Sequence, residues 1–175
     1  MASSVFIRTL ERLPGFRRRL RITPAVHRVQ SEVEDDYHLM SVIVHHDGAV
    51  ATTIESVMRR APWTTCPGAP AQLAQTFTGV ALNAFAARGE KQANCTHLHD
   101  LAVLAAGHAF DAAPVVYDML VSDPVDGKRR ACFAGPICSQ TGGSSRWSSS
   151  PMRVECLPAA IPSSRTGQRR QCASA

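Results

Sequence analysis

The stretch that most constrains what this chain can fold into runs from Leu39 to Val57, where two alternating apolar runs flank Asp47-Gly48. A period of two belongs to a strand with one buried face, and Asp-Gly tolerates the positive φ of a two-residue hairpin turn. Leu39 to His46 and Ala49 to Val57 are therefore expected to pair as antiparallel strands. Met40, Val42 and Val44 take one face, and Leu39, Ser41 and Ile43 the other. Val26 to Val33 has the same character, with Glu34-Asp35-Asp36 as the turn that joins it to the hairpin. A three-stranded antiparallel meander follows.

Beyond the hairpin both periodicities break at Ala61 to Pro70, where three prolines remove backbone donors and bias their predecessors away from helix; this segment is read as a loop. Ala71 to Phe77 and Val80 to Arg88 have helical composition, interrupted near Gly79. Leu98, Leu101, Ala102, Ala105 and Ala109 then recur at helical spacing, with Val103, Ala106 and Phe110 making the opposite face apolar as well. That helix, Leu98 to Phe110, is expected to be largely buried. Val115 to Val121 returns to strand character before the turn Asp123 to Gly127. The fold class expected is α+β: an antiparallel sheet, a three-stranded meander plus at least one further strand, with helices packed on one face.

At 175 residues the chain suits a single domain. The formal charge of +5 hides a division: residues 1–30 carry +6, residues 31–127 carry −8 and residues 128–175 carry +7. A nucleic-acid surface places its basic stripe on the folded body, and here the body is acidic, so no specific nucleic-acid partner is expected. Residues 1–25 read as a basic, disordered tail, residues 26–130 as the domain, and residues 131–175, rich in Ser and Cys without sustained period, as a disordered tail. A frameshift is the sharper alternative for that last segment, because the codons of Cys132 to Gln140 read one nucleotide out of frame can continue a folded pattern. The gene's nucleotide sequence decides between them. No segment approaches the roughly 18 consecutive apolar residues that span a bilayer. The Arg-rich N-terminus lacks the apolar core of a secretory signal, although it has the composition of a transit peptide. The expected location is cytoplasmic and the six Cys are expected to be free thiols.

Chemistry concentrates at Asn94 to Leu101, where a thiol, two imidazoles and a carboxylate crowd together just before the apolar helix. With Asn94 or Thr96 capping that helix, Cys95 lies at its N-terminus, where unpaired amides and the dipole stabilise a thiolate. The candidate catalytic residues are Cys95 as nucleophile (Cys66 the alternative), His97, His99 or His38 as base, and Asp100 or Asp36 as orienter. A metal set of Cys66, Cys95 and His97 is the other candidate, with zinc or an iron-containing centre as the cofactor it suits. Two residues apart on a helix, His97 and His99 point in roughly opposite directions, so at most one joins Cys95. His45 and His46, at the hairpin tip, are expected in water; His108 is expected to be a hydrogen-bonded core histidine, and Trp63 a core anchor under its loop.

Residues 26–130 also contain blocks with a resemblance. Glu34-Asp35-Asp36-Tyr37-His38, the hairpin, Arg60 to Ala69 with its Pro-Trp-Thr-Thr-Cys-Pro, Cys95-Thr96-His97-Leu98-His99-Asp100-Leu101, and Tyr117 to Gly127 together resemble an uncharacterised bacterial family, domain of unknown function 2889. The resemblance implies further strands after the segment matching Lys128 to Ala131. It implies no reaction, substrate or cofactor. The function expected from the residues is a small binding or accessory protein with a Cys/His site, metal-binding or taking a small-molecule ligand. The alternative is a cysteine-dependent enzyme acting on an acyl or other electrophilic small molecule.

Overall fold

The structure is a computed structural model that describes residues 14–62, 68–124, 129–135 and 155–159. Among the described residues the strands form one antiparallel sheet, in the order β4-β3-β2-β1-β5-β6-β7. The strands are β1 (Gly15–Ala25), β2 (Arg28–Asp35), β3 (Leu39–His46), β4 (Ala51–Arg60), β5 (Val115–Ser122), β6 (Arg129–Ala134) and β7 (Glu155–Ala159). Two helices, α1 (Ala69–Phe77) and α2 (Thr96–Gly107), pack on one face. The architecture is α+β, with the expected meander in β2-β3-β4 and further strands beside it.

The hairpin forms where the alternation placed it. Met40, Val42 and Val44 are buried, while Leu39, Ser41 and Ile43 are partly exposed on the opposite face. The turn is longer than the two residues expected. Asp47 Oδ1 accepts the backbone N–H groups of Ala49 and Val50, each at 2.8 Å, so Asp47 to Val50 close as a side-chain-capped turn with Gly48 at φ 111°.

The segment expected to be a basic tail needs the largest correction. Gly15–Ala25 is a strand at the middle of the sheet, paired with β2 on one side and β5 on the other. Its basic composition is compatible with this because the arginines alternate: Arg17, Arg19 and Arg21 face solvent, while Arg18, Leu20 and Ile22 point toward the helices. On the solvent face Arg19 meets Asp118, its cross-strand partner, with Nε to Oδ1 at 2.7 Å. Gly15 is required by close approach, since a Cβ there would run into the Val121 carbonyl. At the other end of the chain, β6 and β7 place Arg129–Ala134 and Glu155–Ala159 in the sheet, although residues 131–175 are expected to lack structure.

Val80 to Arg88, helical by composition, forms only a short 3₁₀ turn at Leu82–Ala84. Gly79 at φ 80° ends the α1 region. Backbone bonds Ala51 N–H to Val80 O and Leu82 N–H to Ala49 O then hold the chain extended against the hairpin. α2 ends at Gly107, three residues short of the expected end, so Phe110 is 71% exposed rather than buried. The core lies between the sheet and the helices: Ile22, Val29, Val42, Leu73, Phe77, Phe85, Leu98 and Leu101 are almost wholly buried. Ser31 Oγ donates to the Leu101 carbonyl at 2.7 Å across this layer, fixing α2 over β2. Among the described residues no helix is long and apolar enough to cross a membrane.

Candidate functional site

α2 lies over β2 and β3 and reaches β1 only at its edge. Because the sheet continues through β1 to β5 past the helix, a cavity of about 420 Å³ opens along that edge. Its walls are apolar, from Leu20, Val33, Leu101, Leu104 and Met119, and its polar groups are Arg18, His97 and the rim residue Asp100.

The polar end is built from three strands and the first turn of α2. Asp35, the last residue of β2, points inward with its carboxylate fully buried. Its Oδ1 accepts Tyr37 N–H and His38 N–H, both at 2.8 Å, and the His38 Nδ1–H at 2.9 Å. Its Oδ2 accepts Arg18 Nε–H at 2.8 Å and Arg18 Nη2 at 2.7 Å. Burial pushes the Asp35 carboxyl up, but the opposing bonds from Tyr37, Arg18 and His38 outweigh it and hold the group at about 2. The Arg60 guanidinium donates to the Asp35 carbonyl at 2.8 Å, tying β4 to the same corner.

Above this carboxylate the His38 and His97 rings lie 3.9 Å apart, tilted by 35°. A guanidinium can only donate, so the 3.3 Å contact of Arg18 Nη2 with His97 Nε2 defines that nitrogen as an acceptor and the neutral ring as the Nδ1–H tautomer. Burial, then the neighbouring His38 and Arg18, push the His97 pKa below its ordinary value. The cluster is thus one anion, one cation and two imidazoles, with His97 held neutral.

The other residues singled out in the sequence fall elsewhere. Cys95, rather than Asn94 or Thr96, is the N-cap of α2 and is a free, half-buried thiol packed against the core. Among the described residues no histidine is hydrogen-bonded to its sulfur. His99 is buried against Phe77, with ring centres 5.2 Å apart, and donates Nε2–H to the Gly89 carbonyl at 2.8 Å. Asp100 is half exposed and binds Lys91, with Oδ1 2.7 Å from Nζ and 3.8 Å from His99 Nδ1, too far to orient that ring. Of the three candidate bases, His38 is the one oriented by a carboxylate, and that carboxylate is Asp35 rather than Asp36 or Asp100. Cys66 and Trp63 lie outside the described residues, and among those described no three His, Cys, Asp or Glu side chains converge to hold a metal.

Comparison with family models, curated proteins and solved structures finds no match. The chemistry must be read from the cavity itself.

Two further features were not evident from the sequence. Arg18 and Asp35 sat in a presumed tail and a presumed turn, and the only sequence signal for either was the inward parity of Arg18 with Leu20 and Ile22. His46 is the second: it is 5% exposed, on the inward parity of β3, and among the described residues neither ring nitrogen has a hydrogen-bond partner. The expectation that it sits in water is corrected. Its neighbour His45 faces the other side and pairs with Glu55 at 3.0 Å. His108 is the core histidine expected, donating Nδ1–H to Asp111 Oδ2 at 2.6 Å and meeting the Tyr117 hydroxyl at 3.0 Å through Nε2.

Proposed function

We propose that this chain is a small-molecule-binding protein whose cavity takes an apolar molecule with an anionic or hydrogen-bond-accepting head group. One observation carries the reading: an apolar cavity of about 420 Å³, within the size range of ligand sites, has Arg18 and His97 side by side in its lining, with Asp100 at the rim held by Lys91. Arg18 is oriented by the buried Asp35, so little side-chain entropy is lost when a head group docks beside it. Leu20, Leu101, Leu104 and Met119 supply contact for the apolar body. The Cys66, Cys95 and His97 metal set is a separate reading from the sequence. It requires His97 to give up the Arg18 bond, because the neutral ring has a single lone pair: with Nε2 accepting from Arg18, Nδ1 carries the proton and cannot ligate.

The test is calorimetric titration of the full chain with decanoate and with decanol. Decanoate is expected to bind with a single-site isotherm, at least about tenfold more tightly than decanol, a difference of roughly 1.4 kcal/mol. Leu104→Trp, which fills the cavity from α2, is expected to abolish binding while leaving the circular dichroism spectrum unchanged. Equal binding by wild type and Leu104→Trp, or none by wild type, overturns the proposal.

A further inference from the structure

The cavity has a second polar neighbour, two residues along the sheet from the level of Arg18. In the β1–β5 pairing Arg18 lies opposite Met119 and Leu20 opposite Tyr117. Cross-strand partners share a face, so Tyr117 stands on the cavity side of the sheet, beside two residues that line it. From Arg18 to the level of Tyr117 is two residues of strand, about 7 Å. α2 supplies the remaining parts: past Leu104, which lines the cavity, the chain delivers His108 and then Asp111 to the same place.

These three side chains form a directed chain. With Nδ1–H given to Asp111 at 2.6 Å, the neutral His108 ring leaves Nε2 as acceptor for the Tyr117 hydroxyl at 3.0 Å. His108 is 5% exposed, and its imidazolium form would remain paired with Asp111. A carboxylate orienting an imidazole that faces a hydroxyl is the arrangement by which a weak oxygen acid is made a reactive one, whatever residue carries the oxygen. A buried histidine needing only satisfaction would find it in Asp111 and any donor. A phenol placed next to the cavity wall is a more specific choice.

We propose that Tyr117 is a reactive phenol, activated by His108 and Asp111, and that it serves the cavity as a general base. The proton passes from the ligand to the Tyr117 oxygen as the phenol's own proton passes to His108 Nε2, and Asp111 stabilises the imidazolium that results. Charge balances: the ligand becomes an anion, the histidine a cation, and the reverse transfer restores both. The substrate class is an apolar molecule anchored by its head group at Arg18 and bearing a hydroxyl, or a C–H made acidic by an adjacent carbonyl, about two residues' length along the groove. The substrate class rests on the binding reading above; the reactivity of Tyr117 does not.

The chain has two tyrosines, and Tyr37, 59% exposed, is an internal control for the half-buried Tyr117. Full-length protein is treated with phenylmethanesulfonyl fluoride and each tyrosine's modification is followed by peptide mass spectrometry. In this reaction the phenol oxygen bonds to sulfur, fluoride leaves, and the phenol proton goes to His108. Tyr117 is expected to react at least about tenfold faster than Tyr37 near neutral pH, as an assisting base produces. His108→Asn is expected to bring Tyr117 down to the Tyr37 rate, and the milder Asp111→Asn to lower it partway. Tyr117 reacting no faster than Tyr37 in wild type overturns the proposal without recourse to any variant, as does undiminished reaction in a folded His108→Asn. Decanoate is expected to slow Tyr117 labelling and leave Tyr37 unchanged. Fast Tyr117 labelling in protein that binds no decanoate would sink the binding reading and spare the phenol; decanoate binding with an inert Tyr117 would do the reverse.

Discussion

Asp35 shows how one carboxylate organises a site. It accepts bonds from three residues, Arg18 on β1 and the adjacent Tyr37 and His38, and its pKa of about 2 against an ordinary 3.8 means that folding favours the ionised form. A group depressed in the folded state contributes stability that is fully present above the unfolded value and is lost as pH falls through the folded one. The pH window is therefore from about 4 down to about 2, and the contribution is about 2 kcal/mol. Asp35→Asn is expected to lose about 3 kcal/mol at pH 7, because Arg18 is left part-buried without its counter-charge. Urea unfolding of both proteins at neutral and acid pH checks this: the wild-type curve should approach the variant's as the solution is acidified, and parallel curves would show that Asp35 is not the titrating group. The His97 neighbour acts in a different window, since its lowered pKa leaves it neutral where an ordinary histidine begins to charge. Two members of this cluster, His38 and His97, stand among the candidate bases in the sequence, but their partners Arg18 and Asp35 do not. The sequence drew attention to Cys95, His97, His99 and Asp100 because they are adjacent in the chain, and to His38 beside its acidic turn, whereas the cluster joins His38 and His97 to Arg18 and Asp35, four positions brought together only by the register of β1 on β2 and the docking of α2.

At the scale of the element, β3 is the strand whose pattern was most readable, yet its pattern continues further than its apolar residues. His38 just before it and His46 at its end share the inward parity of Met40, Val42 and Val44. His38 is satisfied by Asp35; His46 has no hydrogen-bond partner for either ring nitrogen among the described residues and sits between His27 and Phe110, with ring centres 6.0 and 5.8 Å away. Burial first, then His27, push its pKa below the ordinary 6.5. The unfolded chain therefore takes up the proton first as pH falls through 6.5, and stability drops there. His46→Leu is expected to stabilise by about 1 kcal/mol at pH 8, where only the unpaired polar ring is removed, and by more at pH 5. Thermal melts at the two pH values test it, and a variant less stable than wild type at pH 5 would mean that His46 has a partner in the folded protein. The helical element taught the reverse lesson. Composition suggested helix from Val80 to Arg88, but backbone bonds to the hairpin outweighed a propensity worth only tenths of a kcal/mol per residue.

For the whole molecule the position of β1 is decisive. It joins the meander to β5, β6 and β7, and it carries Arg18 and Leu20 into the cavity. A chain beginning at Val26 lacks the strand that pairs with both β2 and β5, exposing two edges and the apolar face beneath. Deleting residues 1–25 is expected to abolish cooperative unfolding and decanoate binding together, whereas removal of a solvated tail would change neither; a sharp thermal transition in the shortened protein would refute the central placement. The sequence by itself determined the α+β class, the β3–β4 hairpin, the inward face of Met40, Val42 and Val44, the buried α2 and the core role of His108, because each rests on local periodicity or turn chemistry. Only the tertiary structure decided that the arginine-rich segment is a strand, that Asp35 rather than Asp100 orients a histidine, and that a cavity lies between α2 and the β1–β5 edge. The physical reason is that strand pairing is non-local: an isolated RRRLRIT segment satisfies its backbone and charges equally well in water, and only β2 and β5, supplied from distant parts of the chain, make burial of its Leu20 and Ile22 face favourable.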